Sequence, residues 1–67
     1  MKLIHNPSNG KIHYTKANPN GWIYNGSKLF RGTKKEFEKM VEDNPNGMFG
    51  YYDGNEPSNE DIMLDFE

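Results

Sequence analysis

Turn signals of one chemical type recur along this chain and limit its segments to short lengths. The tetrapeptide Asn-Pro-Asn-Gly occurs at 18–21 and again at 44–47, Asn-Pro-Ser-Asn-Gly occupies 6–10, and Asn-Gly stands at 25–26. These residues favour β-turns, because Pro presets one backbone angle and Asn and Gly tolerate the others. For 25–26 we predict a two-residue type I′ hairpin. The intervening segments predict short antiparallel strands at 2–5, 11–16, 22–24, 27–31 and 48–52.

One segment has the pattern of a helix. Thr33 and Glu36 match the capping-box motif T-x-x-E. Phe37, Met40 and Val41 form an apolar stripe with i, i+3, i+4 spacing. The Asn-Pro pair that follows ends the pattern, because the residue before a proline avoids the helical conformation. We therefore predict a helix over about 33–43.

The acidic C-terminal segment, 53–67, allows two structures. Ser58 and Asp61 match the start of a short helix, whereas the last apolar residues alternate with polar ones as in a strand. We favour an edge strand or a tail. The whole chain, 1–67, is then a single α+β domain, in which a small antiparallel sheet of four to six short strands carries one helix (about 33–43) packed on one face.

Length and composition place the chain among small domains of marginal stability. It has 67 residues, 33% of them hydrophobic, and its nine aromatic side chains supply apolar area that the few aliphatic ones lack. The sequence contains no cysteine, which excludes disulfides and thiolate ligands. No apolar run approaches the roughly 18 residues of a membrane span, and the first residues are too polar for a signal peptide. We therefore expect a soluble, cytoplasmic protein without a cofactor.

Charge is divided unequally between the two halves of the chain. Residues 1–35 carry seven basic and no acidic side chains, whereas residues 36–67 carry ten acidic side chains and one basic. The net charge of −2 conceals this separation. Three explanations are open. Cross-strand pairs neutralise the two halves internally, the acidic half recognises a basic partner, or the basic half binds nucleic acid and the acidic tail competes with it.

The second explanation is our working hypothesis. It makes the chain a small acidic protein-binding module without enzymatic activity, an inhibitor or regulator that presents an acidic face to a basic surface of a larger protein. Carboxylates on a rigid fold can stand in for phosphates, so the module would be a nucleic-acid mimic, and the Asn/Lys/Tyr-rich composition suits a phage accessory protein. The acidic face comprises Glu38, Glu42, Asp43, Asp53, Glu56, Glu60, Asp61 and Asp65. An apolar tail, suited to docking in a groove, comprises Ile62, Leu64 and Phe66.

Two alternatives stay open. A basic, aromatic sheet would bind single-stranded nucleic acid by stacking and phosphate contacts, although ten acidic residues oppose a nucleic-acid partner. The residues of that face are Lys11, Tyr14, Lys16, Trp22, Tyr24, Lys28 and Arg31. The simpler interpretation is that the aromatic residues form the core of an aliphatic-poor chain. The second alternative is a structural homo-oligomer that self-associates through an exposed aromatic sheet face.

Metal and catalytic sites have little support in the sequence. His5 and His13 flank the first turn, and a four-residue loop over 7–10 pairs position 5 with 12, which sends the two imidazoles to opposite faces. The segment 53–56 lacks the ligand spacing of a calcium loop. The chain also offers little volume for a pocket that would hold a nucleophile, a base and an orienting acid. We expect neither a metal site nor an enzyme.

Overall fold

The computed structural model describes residues 2–8, 11–13 and 20–66 of the chain. In that part, five antiparallel strands form one sheet with the order β2-β1-β5-β3-β4. The strands are β1 (Lys2–Asn6), β2 (Lys11–His13), β3 (Asn20–Tyr24), β4 (Leu29–Thr33) and β5 (Phe49–Asp53), and the helices are α1 (Lys34–Asp43) and α2 (Asn59–Asp65). This small α+β architecture confirms the predicted fold class. Across the described ranges, no helix is long and apolar enough to cross a membrane.

The first hairpin has the register that its turn predicts. Ile4 pairs with His13, and His5 pairs with Ile12. Paired residues share a face and neighbouring residues of a strand do not. The two histidine side chains therefore leave opposite faces of the sheet, as expected.

The hairpin at Asn25-Gly26 differs from prediction in its loop. Tyr24 pairs with Leu29, so the loop holds four residues rather than two. The Asn25 N–H donates to the Lys28 carbonyl at 3.0 Å, and the Asn25 side-chain oxygen accepts from the Lys28 N–H at 2.7 Å. A type I′ turn needs positive φ at both central residues, but in this loop only Gly26 has it. The predicted turn type is wrong. Because the register of β3 and β4 moves by two residues, the side chains of these strands keep their predicted faces.

Helix α1 begins and ends where its pattern predicts. Thr33 is the N-cap, and its hydroxyl oxygen accepts a hydrogen bond from the Glu36 N–H at 3.2 Å. Asn44 is the C-cap. The Asn-Pro-Asn-Gly turn follows at once, closed by a hydrogen bond from the Gly47 N–H to the Asn44 carbonyl at 2.9 Å.

Helix α1 covers one face of the sheet. Its buried residues, Phe37 and Val41, belong to the predicted apolar stripe. They pack with Leu3, Ile23 and Tyr51, which pairing aligns across β1, β5 and β3. The rings of Phe37 and Tyr51 lie 6.0 Å apart between centroids. This layer is the larger of two cores.

The C-terminal segment forms helix α2, so the favoured strand or tail is wrong for residues 59–65. The Ser58 hydroxyl accepts from the Asp61 N–H at 3.2 Å, and the Asp61 carboxylate accepts from the Ser58 N–H at 3.3 Å. This reciprocal capping box satisfies two backbone donors at the helix start. In a helix Ile62 and Phe66, four residues apart, face the same side. Local capping and the burial of that pair outweigh the alternating pattern.

Helix α2 packs on the face of the sheet opposite to α1. Ile62 is buried with Ile4 and Tyr52, and the ring of Phe66 lies 5.8 Å from that of Tyr24. These strand residues alternate with the core residues beneath α1, and successive strand residues point to opposite faces. A helix therefore covers each face of the sheet, whereas the sequence predicts a single helix on one face.

Candidate functional site

The sheet divides the predicted acidic face into two groups. Glu38, Glu42 and Asp43 lie on α1. The others lie at the end of β5, in the segment that follows it or on α2, and they are Asp53, Glu56, Glu60, Asp61 and Asp65. Because α1 and α2 cover opposite faces, the eight carboxylates do not form the single surface that the sequence predicts.

Among the described residues, ion pairs leave at least four of these carboxylates unneutralised. Lys2 pairs with Asp65, and the Lys34 ammonium lies 3.8 Å from the Glu38 carboxylate one helical turn away. The second pair is exposed, so its contribution to stability is small. Among the described residues no ion pair reaches Glu42, Asp43, Glu56 or Glu60. Internal neutralisation, the first explanation of the charge pattern, is incomplete.

The outward side of α2 carries two exposed apolar side chains. Met63 is 69% exposed and Leu64 is 66% exposed. The exposed Glu60 lies one turn before Leu64 on the same side of the helix. The predicted apolar tail is thus divided, because Ile62 and Phe66 face the sheet while Leu64 faces away from it.

An acidic cavity of about 420 Å³ borders α2. It lies where β1 and β5 meet the segment that leads into the helix. Its lining residues are Lys2, Tyr52, Asp53, Asn55, Glu56, Pro57 and Asp61. Three carboxylates and one ammonium thus surround the space, and this surplus of negative charge attracts cations.

A row of four side chains crosses the side of the sheet that faces α2. Strand pairing places Lys2 opposite Tyr52, Tyr52 opposite Trp22, and Trp22 opposite Arg31. Neighbouring strands lie about 4.8 Å apart, so two aromatic rings stand side by side between two cations. The guanidinium carbon of Arg31 lies 5.2 Å from the Trp22 ring centroid, which is a cation–π contact. We call these four residues the cation–aromatic row.

The structure brings together part of the predicted nucleic-acid face. Three of its seven residues share the α2-facing side of β3 and β4, namely Trp22, Tyr24 and Arg31. Lys28 is exposed in the loop between those strands, and Lys11 belongs to β2 at the far edge of the sheet. Tyr14 and Lys16 lie outside the described residues. The predicted face is therefore smaller than expected on the residues that can be placed.

Sequence reasoning missed Lys2 and Tyr52 as members of this surface. Both join it through β5, which pairs with β1 on one side and with β3 on the other. These pairings connect segments that are distant along the chain, and no turn between them sets the register. The only local signal is that Tyr52 follows Tyr51 in a strand, so one of the two had to face away from the α1 core.

Tyr52 and Asp65 meet beneath α2. Tyr52 is 5% exposed, and its hydroxyl lies against the largely buried Asp65 carboxylate. Burial raises the pKa of the Tyr52 phenol far above its ordinary value of 10.0, and the nearby Asp65 carboxylate raises it further. The other oxygen of Asp65 accepts from Lys2. The contact between α2 and the sheet is therefore partly polar.

The two histidines differ in exposure and lie on opposite faces of the sheet, so they do not form a joint site. His5 is 3% exposed, and its Nε2–H donates to the Pro45 carbonyl at 2.7 Å. His13 is exposed on the other face of the sheet. Within the described part of the chain, no group of three or more His, Cys, Asp or Glu residues is placed to hold a metal ion.

Comparison with known proteins adds no relative to this description. No protein-family model, no curated protein and no solved structure matches the chain. Function must therefore be inferred from the surface of α2, the cavity beside it and the cation–aromatic row beneath it.

Proposed function

We propose that the protein is a non-enzymatic protein-binding module, an inhibitor or regulator, which docks through the outward side of α2 onto a basic surface of a larger protein in the cytoplasm. The observation that carries this proposal is the position of two exposed apolar side chains, Met63 and Leu64, next to exposed carboxylates. Protein interfaces combine an apolar centre with a polar rim. A helix with this arrangement suits a partner that offers an apolar groove.

The carboxylates around α2 define the chemistry of the partner. Glu56 and Glu60 are exposed, and neither has an ion pair with a described residue. Their charges remain available to a basic rim, where complementary potentials speed association and exclude wrong partners. The acidic cavity beside α2 has room for a lysine or arginine side chain of the partner. A protein surface that normally binds phosphates is basic in this way. We therefore propose that the carboxylates around α2 mimic the phosphates of a nucleic acid.

The acidic group on α1 is less suited to this role. Its neighbours on the exposed side of the helix include Lys35 and Lys39, so the surface alternates in sign. The exposed side of α2 carries carboxylates without a lysine between them. The proposal therefore assigns docking to α2, and α1 supplies a matched control.

The experiment compares two variants with the wild-type chain. Glu60→Lys combined with Leu64→Ser alters the outward side of α2 and leaves its buried side chains and capping box in place. Glu42→Lys makes the same charge reversal on α1, on the opposite face of the sheet. A partner captured from source cells and identified by mass spectrometry is then titrated with each purified variant by calorimetry.

We expect the α2 variant to bind that partner at least about tenfold more weakly, because truncation of central apolar contacts dominates interface energies. The Glu42→Lys variant should keep the wild-type affinity. Circular dichroism establishes that both variants fold. The opposite pattern, in which Glu42→Lys loses the partner and the α2 variant keeps it, would contradict the proposal.

A further inference from the structure

The α2-facing side of the sheet combines the two components of a single-strand binding surface. The cation–aromatic row places Tyr52 and Trp22 between Lys2 and Arg31 across four neighbouring strands. Tyr24 adds a third ring, two positions along β3 on the same face. Proteins that bind single strands use aromatic rings to stack bases and cations to contact phosphates. The row has both, in the order cation, ring, ring, cation.

The last turn of α2 presents an anion and a ring to this surface. The Asp65 carboxylate pairs with Lys2. The ring of the next residue, Phe66, lies 5.8 Å from the Tyr24 ring with an angle of 40° between their planes. Two adjacent residues of the chain thus occupy the positions that a phosphate and its base would take on the same groups.

Helix α2 covers only part of the row. Tyr52 is buried beneath it, whereas Trp22 and Tyr24 are half-buried and Arg31 is exposed. A strand of nucleic acid can therefore reach Arg31 and Trp22 while α2 is in place. Lys2 is also exposed, and there a phosphate competes with Asp65 for the ammonium.

The contact that holds α2 is weak for a helix–sheet contact. The helix has seven residues, too few to be stable in water without packing. Ile62 is its one buried residue. The Tyr52 hydroxyl and the Asp65 carboxylate are buried in this contact, and displacement returns both to water. Residues 59–67 also hold four acids and no base, so without this segment the formal net charge changes from −2 to +2.

We infer that this face of the sheet binds single-stranded nucleic acid and that α2 occupies the same site in competition with it. Bases stack on Trp22 and Tyr24, and Lys2 and Arg31 contact phosphates. The inference goes beyond the protein-binding function, which uses the opposite side of α2. It also makes the nucleic-acid alternative drawn from sequence specific, because it names the residues through which α2 competes.

The test uses the full chain and a single-stranded oligothymidylate of about 12 nucleotides, a length within the usual site size of such proteins. Trp22 is the only tryptophan, so quenching of its fluorescence reports binding at the row. Asp65→Asn removes the competing charge, and Phe66→Leu removes the competing ring. We expect each variant to bind about tenfold more tightly than the wild type, with quenching of Trp22. The affinity should fall steeply with added salt.

Two further variants make the test specific. Glu42→Gln removes one charge from α1, on the opposite face of the sheet, and its affinity should stay within about twofold of the wild-type value, because distant exposed charges are screened. Arg31→Gln, combined with Asp65→Asn, should abolish the gain. Tightening by Glu42→Gln equal to that by Asp65→Asn overturns the inference, as does an unchanged affinity in folded Asp65→Asn and Phe66→Leu variants.

A measurement on the wild-type chain covers the case in which the loosened variants do not fold. In NMR spectra recorded with excess oligothymidylate, the Trp22 indole signal should shift and the contacts between Phe66 and Tyr24 should disappear. Spectra that are identical with and without the oligonucleotide overturn the inference.

Discussion

The buried side chain of Tyr52 packs between the sheet and α2. Its ring lies over Gly50 of the same strand, where an added Cβ would stand 2.8 Å from the ring atom Cε2. Glycine at this position therefore leaves the space that the ring fills. The ring packs with Ile4 and Ile62, while the hydroxyl lies close to Asp65. One residue thus contributes both apolar area and a buried polar atom to the same contact.

We expect the stability of the protein to fall as the pH rises above 10, and to fall less in a Tyr52→Phe variant. The pKa of Tyr52 in the folded state lies above the value of 10.0 expected when unfolded. The unfolded phenol therefore loses its proton first, and ionisation favours unfolding. This stabilising contribution is fully present below pH 10 and is lost as the pH approaches the folded-state value. Urea titrations at several pH values measure it, and equal pH slopes for the two proteins would refute it.

His5 and His13 form a matched pair for measuring burial. His5 is enclosed beside Phe49 and donates to Pro45, whereas His13 is exposed. We expect His5→Ala to lower the free energy of unfolding by about 2–4 kcal/mol, since it removes a hydrogen bond and leaves a cavity. His13→Ala should change it by less than about 0.5 kcal/mol. Urea denaturation distinguishes the two, and similar losses for both would contradict the opposite-face register.

Among the secondary-structure elements, the two helices show that capping residues and apolar spacing both influence which secondary structure forms. Thr33 caps α1, and an apolar stripe of helical spacing follows, so both signals agree. In α2 the capping box of Ser58 and Asp61 indicates a helix, while the alternation of the apolar residues indicates a strand. The helix prevails, because in that form two of the three apolar side chains of the tail reach the sheet.

Substitutions in α2 distinguish the helix from the strand in solution. In the helix Ile62 is buried and Leu64 is exposed, whereas a strand would place both on one face. We expect Ile62→Ala to cost about 2–4 kcal/mol of unfolding free energy, and Leu64→Ala to cost less than about 0.5 kcal/mol. Thermal or urea denaturation provides the measurement. Equal costs would mean that the segment is not helical.

At the scale of the whole molecule, the sheet separates the two halves of the acidic segment. The carboxylates of α1 and those around α2 lie on opposite sides, so the dipolar sequence does not become a molecule with one acidic flank. In the same arrangement a helix packs on each of the two aromatic faces of the sheet. Two thin core layers, one beneath each helix, replace the single core that a one-helix fold would have.

We expect the protein to be a monomer in solution, because α2 covers the sheet face through which the homo-oligomer alternative would associate. Sedimentation velocity over about a hundredfold range of concentration tests this, since mass action makes any self-association depend on concentration. A single boundary with the mass of one chain is the expected result. A sedimentation coefficient that rises with concentration would restore the homo-oligomer alternative.

Features that depend on neighbours along the chain can be predicted from the amino-acid sequence. The cap and stripe of α1, the register of the first hairpin and the face of each residue in β3 and β4 follow from short-range spacing and turn chemistry. The tertiary structure alone decided the features that involve β5 and α2. It placed Tyr52 between Lys2 and Trp22, and it set Asp65 against Lys2 from the far end of the chain. These contacts join segments that are distant along the chain, and burial of apolar area brings the segments together. Because the hydrophobic effect has no direction, no periodic pattern in the sequence identifies which segments will meet.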